Sequence, residues 1–507
     1  TIIERSGSSI SRVLFVASGT NGWEFRPFDL SDSIPRRVSN PYVKKNAYIV
    51  AVDGDPERAF ATKSNPGAAT LTAEHGIGRI LFEEEQTNAI AQGNSGNGGG
   101  RTWFGTSFVV DDFRPEEKRV FPQELVALDR TYPITVRFRV AHNARNGGSG
   151  RFSFEQNGAP IGEELFIASF SGEQSTDSGD EILASVDPST VPSDNRALLG
   201  VSYRYPTGGI GYLDFIEIHY GRRLAARNDR ITFESPTGSG IAEYRVTGFS
   251  TNQLVGFDVT DPANPTRLET LSTDGGTFVF NDRVESDPTK RRRYLITALS
   301  AAIGVDELES TPFADLRSAT AGADVIVVTH EDFREQADEY AAYRRSAGLT
   351  VAVATTDEIY AEFSSGRLDP TAIRDYVAHA YHNWNTRPRY LLLIGDGHYD
   401  YRGLTTDVPE YVPVFTSGER NFNDDIAVSV YDDYYVRVDG EDFYIDVAPG
   451  RLPVVSTEEA ATVIDKIKRY ESPSSYGPWR ERVLLVADDN APVNEAKGFL
   501  PQSETLE

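Results

Sequence analysis

The sequence has no cysteine and no methionine in 507 residues. Lack of cysteine excludes disulfides, thiolate metal sites and a cysteine nucleophile within these residues. Lack of methionine means that Thr1 is not expected to be a translation start, so the chain reads as processed or as a portion of a longer one. Long apolar runs are missing as well. No stretch approaches the ~20 apolar residues of a membrane span, and Thr1 to Arg12 has no apolar signal-peptide core. Positive charge is scarce: 50 Lys and Arg stand against 76 Asp and Glu, a net charge of −26. Such a chain repels phosphate backbones, so nucleic acid is not expected among its partners. Arg outnumbers Lys and the acids are spread along the chain, which suits a solvated surface.

What is present points to several domains. The length suggests three or four, each able to bury a core. Up to about Ser300, apolar and polar residues alternate in short runs broken by Gly, Asn, Asp and Pro, the pattern of all-β structure. Residues 1–100 form a mostly β region. RTWFGTSFVVDDF, TYPITVRFRVAH, GRFSFEQNG, ALLGVSYRY and GYLDFIEIHYGRRL are strand-length runs that predict a sandwich over 101–227. QGNSGNGGG before Arg101 is a linker by composition, and WFGTSF after it is strand-like, so it is no phosphate loop. EYRVTGF, QLVGFDVTDPANPTRLE, GTFVFND and RRYLITAL predict a smaller β module over 228–318.

The pattern changes at Gly322. ADVIVVTH suits a parallel strand buried on both faces, a helix pattern follows through Phe333, Ala337, Tyr340 and Ala341, Gly348 closes it, and LTVAVA returns as a strand. Asp369 is a predicted N-cap before Pro370, and Ile373, Tyr376, Val377, Ala380, Tyr381 and Trp384 recur at helical spacing. YLLLI predicts a third strand, YYVRV and DFYIDV a hairpin around Asp439 and Gly440, and Ser456 with Glu459 a capping box on a helix to about Tyr470. RVLLVAD predicts a further strand. Residues 322–507 thus read as the first part of an α/β domain expected to continue past Glu507.

Several groups could carry chemistry. In RYLLLIGDGHYDYR, His398 stands between Asp396 and Asp400 at a strand end, which suits either a base oriented by a carboxylate or a tight strand-end turn. His379 and His382 lie three apart on a helix but off its apolar stripe, with no third metal ligand beside them. Asp424, Asp425, Asp432, Asp433, Asp439 and Asp442 offer hard oxygen ligands of the kind calcium prefers, without the spacing of an EF-hand; a calcium site at Asp424, Asp425, Asp432 and Asp433 and plain solvated turns both remain open. Arg437 and Arg451 read as ordinary ion-pair partners. EFSSG is no nucleophile elbow, because no Gly precedes its serines.

IYAEFSSGRLDPTAIRDYVAHAYHNW, RYLLLIGDGHYDYR and YDDYYVRVDGEDFYIDVAPGRLPVVSTEEAATVIDKIKRYE resemble, in order and spacing, the gingipain-type (C25) cysteine peptidase domain. GRILFEEEQTN, RTWFGTSF, GYLDFIEIHYGRRL and RVTGF with DVTDPANP resemble the N-terminal modules of one branch of that family, the PorU-like sortases of type IX secretion. The resemblance spans about 75–507. It implies N-terminal β modules followed by a caspase-like α/β domain, of which only the first part is present. It also implies a Cys thiolate as nucleophile, a His as acid and base, and backbone N–H groups holding the oxyanion. Neither dyad motif occurs here, so both catalytic residues are expected after residue 507, and Asp396, His398 and Asp400 fall at the border of the substrate cleft.

The implied function is removal of C-terminal secretion signals from exported proteins and their attachment to lipopolysaccharide. It would take place at the outer-membrane surface of a Gram-negative cell, with a PorV-like β-barrel partner and no required cofactor beyond possible calcium. Two other readings are a gingipain-like scaffold without catalysis and a surface adhesin binding carbohydrate through Trp103, Tyr203 or Tyr205.

Overall fold

The computed structural model describes residues 2–6, 9–24, 34–50, 60–88, 103–143, 149–168, 178–206, 208–305, 307–311, 313–416 and 430–484. The linker 92–100, Asp424, Asp425 and the RVLLVAD strand from residue 485 onward therefore lie outside the described residues.

Alternation decides the sandwich. In Ser149–Gln156 every second residue is buried, and Phe152 and Phe154 face Phe138 and Ile216 of the opposite sheet. One sheet carries Ile134–Asn143 between Ser178–Val186 and Gly209–Arg223, and Gly209–Arg223 also pairs with His75–Glu83 and Ser107–Val110. The other runs through Ser149–Gln156, Arg196–Arg204 and Glu116–Glu124. Trp103, Tyr203 and Tyr205 are all buried, Tyr203 with its hydroxyl 2.7 Å from His142 Nδ1, so none of the three is exposed to meet a glycan.

The smaller β module faces Arg230–Glu234, Arg293–Ala298 and Leu254–Asp258 against Gly240–Val246 and Phe278–Val284 around Phe233, Tyr244, Phe280 and Tyr294. Among the described residues its first sheet is continuous with that of the sandwich through the pairing of Glu234 with Ile77.

The α/β domain has four parallel strands in the order Val351–Thr355, Val325–Thr329, Tyr390–Ile394, Ala448–Leu452. Val325–Thr329 is buried along its whole length, as its unbroken apolar run requires. Helices α1 (Arg334–Ser346) and α4 (Thr457–Glu471) cover one face; α2 (Thr356–Phe363) and α3 (Pro370–Asn383) cover the other. The predicted N-cap of α3 is present, Asp369 Oδ1 accepting from Thr371 N at 2.9 Å, and the predicted apolar stripe is buried through Ile373, Tyr376, Val377 and Ala380. Gly348 closes α1 with φ +88.

Three expectations need correction. The hairpin over YYVRV and DFYIDV does not form: Asp432–Val436 is a 3-10 helix whose Tyr435 and Val436 enter the core. The backbone beyond it bonds to a side chain instead of to a strand ladder, Asp446 Oδ2 accepting from Val438 N at 2.8 Å and Asp439 N at 2.9 Å. At α4, Ser456 caps Glu459 N, but the Glu459 carboxylate accepts from Val455 N rather than closing the box on Ser456. The reciprocal capping box is on α2, between Thr355 and Glu358, where the sequence reading placed no helix.

Candidate functional site

In a parallel α/β sheet the carboxyl ends of the strands converge on one edge, where ligands commonly bind. Here that edge carries His330 after the first strand, Asp396 to Asp400 after Ile394, and Val454 and Val455 after the fourth strand. A cavity of about 270 Å³ opens there, lined by Asp396, His398, Thr405, Thr406, Tyr411 and Val455 among others. The chain reaches it by a close backbone passage. A Cβ on Gly397 would lie 2.5 Å from the Val412 carbonyl oxygen and 2.7 Å from Glu410 Oε1, so only glycine fits.

Both ring nitrogens of His398 are engaged. Nε2 donates to the Val408 carbonyl at 3.0 Å, and Nδ1 accepts from Asp400 N at 3.2 Å while lying 3.1 Å from Glu410 Oε2. Glu410 also accepts from His398 N at 3.1 Å. Burial pushes the Glu410 carboxyl up to about 8, against the pull of the His398 N–H and Arg451. Burial thus favours the protonated form of this carboxyl, and the Nδ1 beside it is already engaged by Asp400 N. His398 is held as a loop fastener rather than poised over the cavity as a free base.

Asp400 is likewise occupied, its carboxylate accepting from Leu404 N at 2.8 Å, Thr405 N at 2.7 Å and Thr406 N at 3.1 Å. It shapes the turn behind the cavity. Asp396 lines the cavity, its Oδ1 accepting from Gly397 N at 2.9 Å. The three residues singled out in GDGHYDYR thus share one loop, but they do not form a His paired to a carboxylate of that motif; the carboxyl beside His398 is Glu410.

The acid run divides. Asp432 gives both carboxylate oxygens to Arg451, at 2.8 Å each, and Asp433 pairs with Arg437 at 3.4 Å. Both Asp432 oxygens are thus taken by Arg451, and among the described residues no group of three or more His, Asp or Glu is arranged to hold a metal. Arg451 does more than pair with an acid. Its guanidinium also donates to the carbonyls of Gly395 at 2.9 Å, Val412 at 2.7 Å and Pro413 at 3.1 Å, tying the edge strand to the cavity loop. His382 Nε2 is bonded to the Val438 carbonyl at 3.0 Å, and His379 packs edge-on to Phe363 at the end of α2, so the two do not share a ligand.

The β modules press on this loop. Tyr401 meets Tyr42 edge-on with ring centroids 5.0 Å apart, Tyr399 stacks on Trp103 at 6.2 Å, Arg402 pairs with Glu85, and Lys44 donates to the Gly403 carbonyl at 3.0 Å. Glu410 lay in no motif that could have marked it, and although Arg402 and Glu85 stand in RYLLLIGDGHYDYR and GRILFEEEQTN, nothing local showed that they would pair.

Residues 318–505 match the model of peptidase family C25. No curated protein matches the chain. Among solved structures, dimeric latent PorU from Porphyromonas gingivalis is similar over 96% of this chain and 46% of its own, at 20% identity and a TM-score of 0.75. The chain therefore spans about half the length of that protein, whose fold it shares. A structure described as a protease is similar over 29% of this chain and 28% of its own, at 24% identity and a TM-score of 0.22. A carbohydrate binding module of Cellvibrio mixtus lichenase 5A in complex with cellotriose is similar over 29% of this chain and 93% of its own, at 19% identity and a TM-score of 0.14.

Proposed function

We propose that this chain, whose residues 318–505 belong to peptidase family C25, is the N-terminal portion of a PorU-like sortase that removes C-terminal secretion signals from type IX cargo and passes the cargo to lipopolysaccharide. The observation that carries this reading is the likeness to latent PorU over 96% of the chain, β modules included, rather than over the peptidase domain alone. In this reading the cavity at the carboxyl edge of the sheet is part of the substrate cleft. Asp396, Tyr411 and Val455 face the cargo, while His398, Glu410 and Arg451 hold the loop in shape. The thiol and the catalytic imidazole are supplied by residues outside 1–507, since this sequence has no cysteine. The site of action is the outer-membrane surface, beside a PorV-like β-barrel.

The test is to incubate the full-length gene product with an exported protein bearing a type IX C-terminal signal, with and without prior thiol alkylation. Release of the signal, abolished by alkylation, is the expected result. A substrate left intact by the full-length product would overturn the reading and leave a C25-like scaffold.

A further inference from the structure

In the smaller β module, Lys63 stands between two buried carboxylates. It lies on the edge strand Thr62–Lys63, while Asp258 ends Leu254–Asp258 in the same sheet and Asp282 comes from Phe278–Val284 in the facing one. Its Nζ is 2.6 Å from Asp258 Oδ2 and also bonds to Asp282 Oδ2. The side chains of Lys63, Asp258 and Asp282 are only 20%, 9% and 3% exposed. One aromatic ring lies beside them: Tyr294 has its centroid 6.0 Å from Nζ and donates its hydroxyl to Asp282 at 2.8 Å.

The two carboxylates are set differently. Asp258 Oδ1 accepts from Thr260 N at 3.0 Å and Thr260 Oγ1 at 2.5 Å, leaving Oδ2 toward the amine. Asp282 touches the same amine and has Arg292 Nε at 3.8 Å. Arg292 Nη1 also lies 3.5 Å from Asp258 Oδ2.

From this arrangement we propose that Lys63 and Asp258 join in an intramolecular isopeptide bond, with Asp282 relaying the protons. Contact of Nζ with Oδ2 of both Asp258 and Asp282 puts the ammonium protons within direct transfer distance of Asp282, and that transfer yields the neutral amine the reaction needs. The Nζ lone pair attacks Cγ of Asp258, forming the N–C bond. The oxyanion that develops on Oδ1 meets the N–H and hydroxyl of Thr260, two donors already in place. Asp282 carries two of the three ammonium protons to Oδ2, the C–Oδ2 bond breaks and one water leaves. No oxidant or further reactant is consumed. Holding amine and carboxyl in contact replaces a bimolecular condensation with an intramolecular one, for which effective molarities reach about 10⁵ to 10⁸ M. The charges still balance afterwards: Lys63 and Asp258 become neutral together, and Asp282 keeps Arg292. In a chain without cysteine, this bond would do the covalent fastening that a disulfide does elsewhere.

The test is the intact mass of the purified chain under denaturing conditions, followed by peptide mapping. The expected mass is lower than that of the sequence by one water, with the Lys63 and Asp258 peptides recovered as one branched species. Lys63→Arg, which keeps a cation between the carboxylates, should restore the full mass in a folded protein, as should Asp258→Ala; Asp282→Ala should leave the two residues unlinked. A wild-type chain at its full sequence mass, with Lys63 open to acylation once unfolded, would overturn the proposal. So would a water loss mapped to any other pair of residues.

Discussion

Nδ1 of His398 lies 3.1 Å from Oε2 of Glu410, a carboxyl buried behind the cavity and pushed up to about 8. The pairing gives the cavity loop a pH dependence of definite sign. The folded protein keeps a proton on Glu410 that the unfolded chain has already released, so this stability is fully present below the unfolded value of 4.5 and is lost as pH rises to about 8. The slope from this group reaches at most about 1.4 kcal/mol per pH unit. Glu410→Gln stays neutral throughout and should flatten the fall. Urea midpoints of wild type and variant between pH 5 and 9 should diverge toward the alkaline end; parallel curves would refute the assignment. Glu83, raised to about 7 chiefly by burial, contributes with the same sign in both proteins and cancels from the comparison.

Arg451 should be the least replaceable cation of the α/β domain. Its removal leaves the Asp432 carboxylate and the carbonyls of Gly395, Val412 and Pro413 without their donor. Arg451→Ala should cost about 3 to 5 kcal/mol. Arg451→Lys should recover only part, because an ammonium cannot reproduce the planar fork. Chemical denaturation would show a loss within 1 kcal/mol if the network were incidental.

Gly397→Ala tests the close passage under the cavity. The added methyl meets backbone atoms of Val412 and Val414 as well as Glu410, and the backbone cannot swing away as a flexible side chain could. A destabilisation of about 1 to 3 kcal/mol is expected. Hydrogen exchange should quicken across residues 396–414, whereas an effect confined to residue 397 itself would argue against the crowding.

The antiparallel pair Asn21–Glu24 with Arg36–Ser39 is fastened to the sandwich through Glu217. Glu217 accepts from Trp23 Nε1 at 2.6 Å and Arg137 Nη1 at 3.1 Å, and its Oε1 lies 2.8 Å from His219 Nε2. Burial works against ionisation there, yet His219, Arg137 and Arg79 together hold the carboxyl below its ordinary value of 4.5. Its stability is therefore present above 4.5 and lost as pH falls through the lower folded value. Glu217→Gln should cost about 3 kcal/mol at pH 7 and blunt the acid limb of unfolding. Tryptophan fluorescence would follow it through Trp23.

The sequence by itself determined the class of each region. Period-two alternation is enforced by a sheet with one buried face, which is why the sandwich strands were legible. The unbroken apolar run of Val325–Thr329 and the stripe of α3 left little room for other readings, because each pattern buries completely in only one kind of element. The segment Asp432–Val447 misled for a complementary reason. Its β-branched and aromatic residues suit a strand, but the choice lay with Asp446, which bonds the backbone of Val438 and Asp439, and with the core that takes Tyr435 and Val436.

The site was legible only as a place. GDGHYDYR marked the loop at the sheet's carboxyl edge, since a strand, glycines and acids in succession are local features. The carboxyl beside His398 belongs to Glu410, the anchors of Tyr399 and Tyr401 are Trp103 and Tyr42, and Lys63 reaches acids 195 and 219 residues away. These pairings depend on how distant chain segments converge. No local spacing records that convergence, so tertiary structure alone decided them.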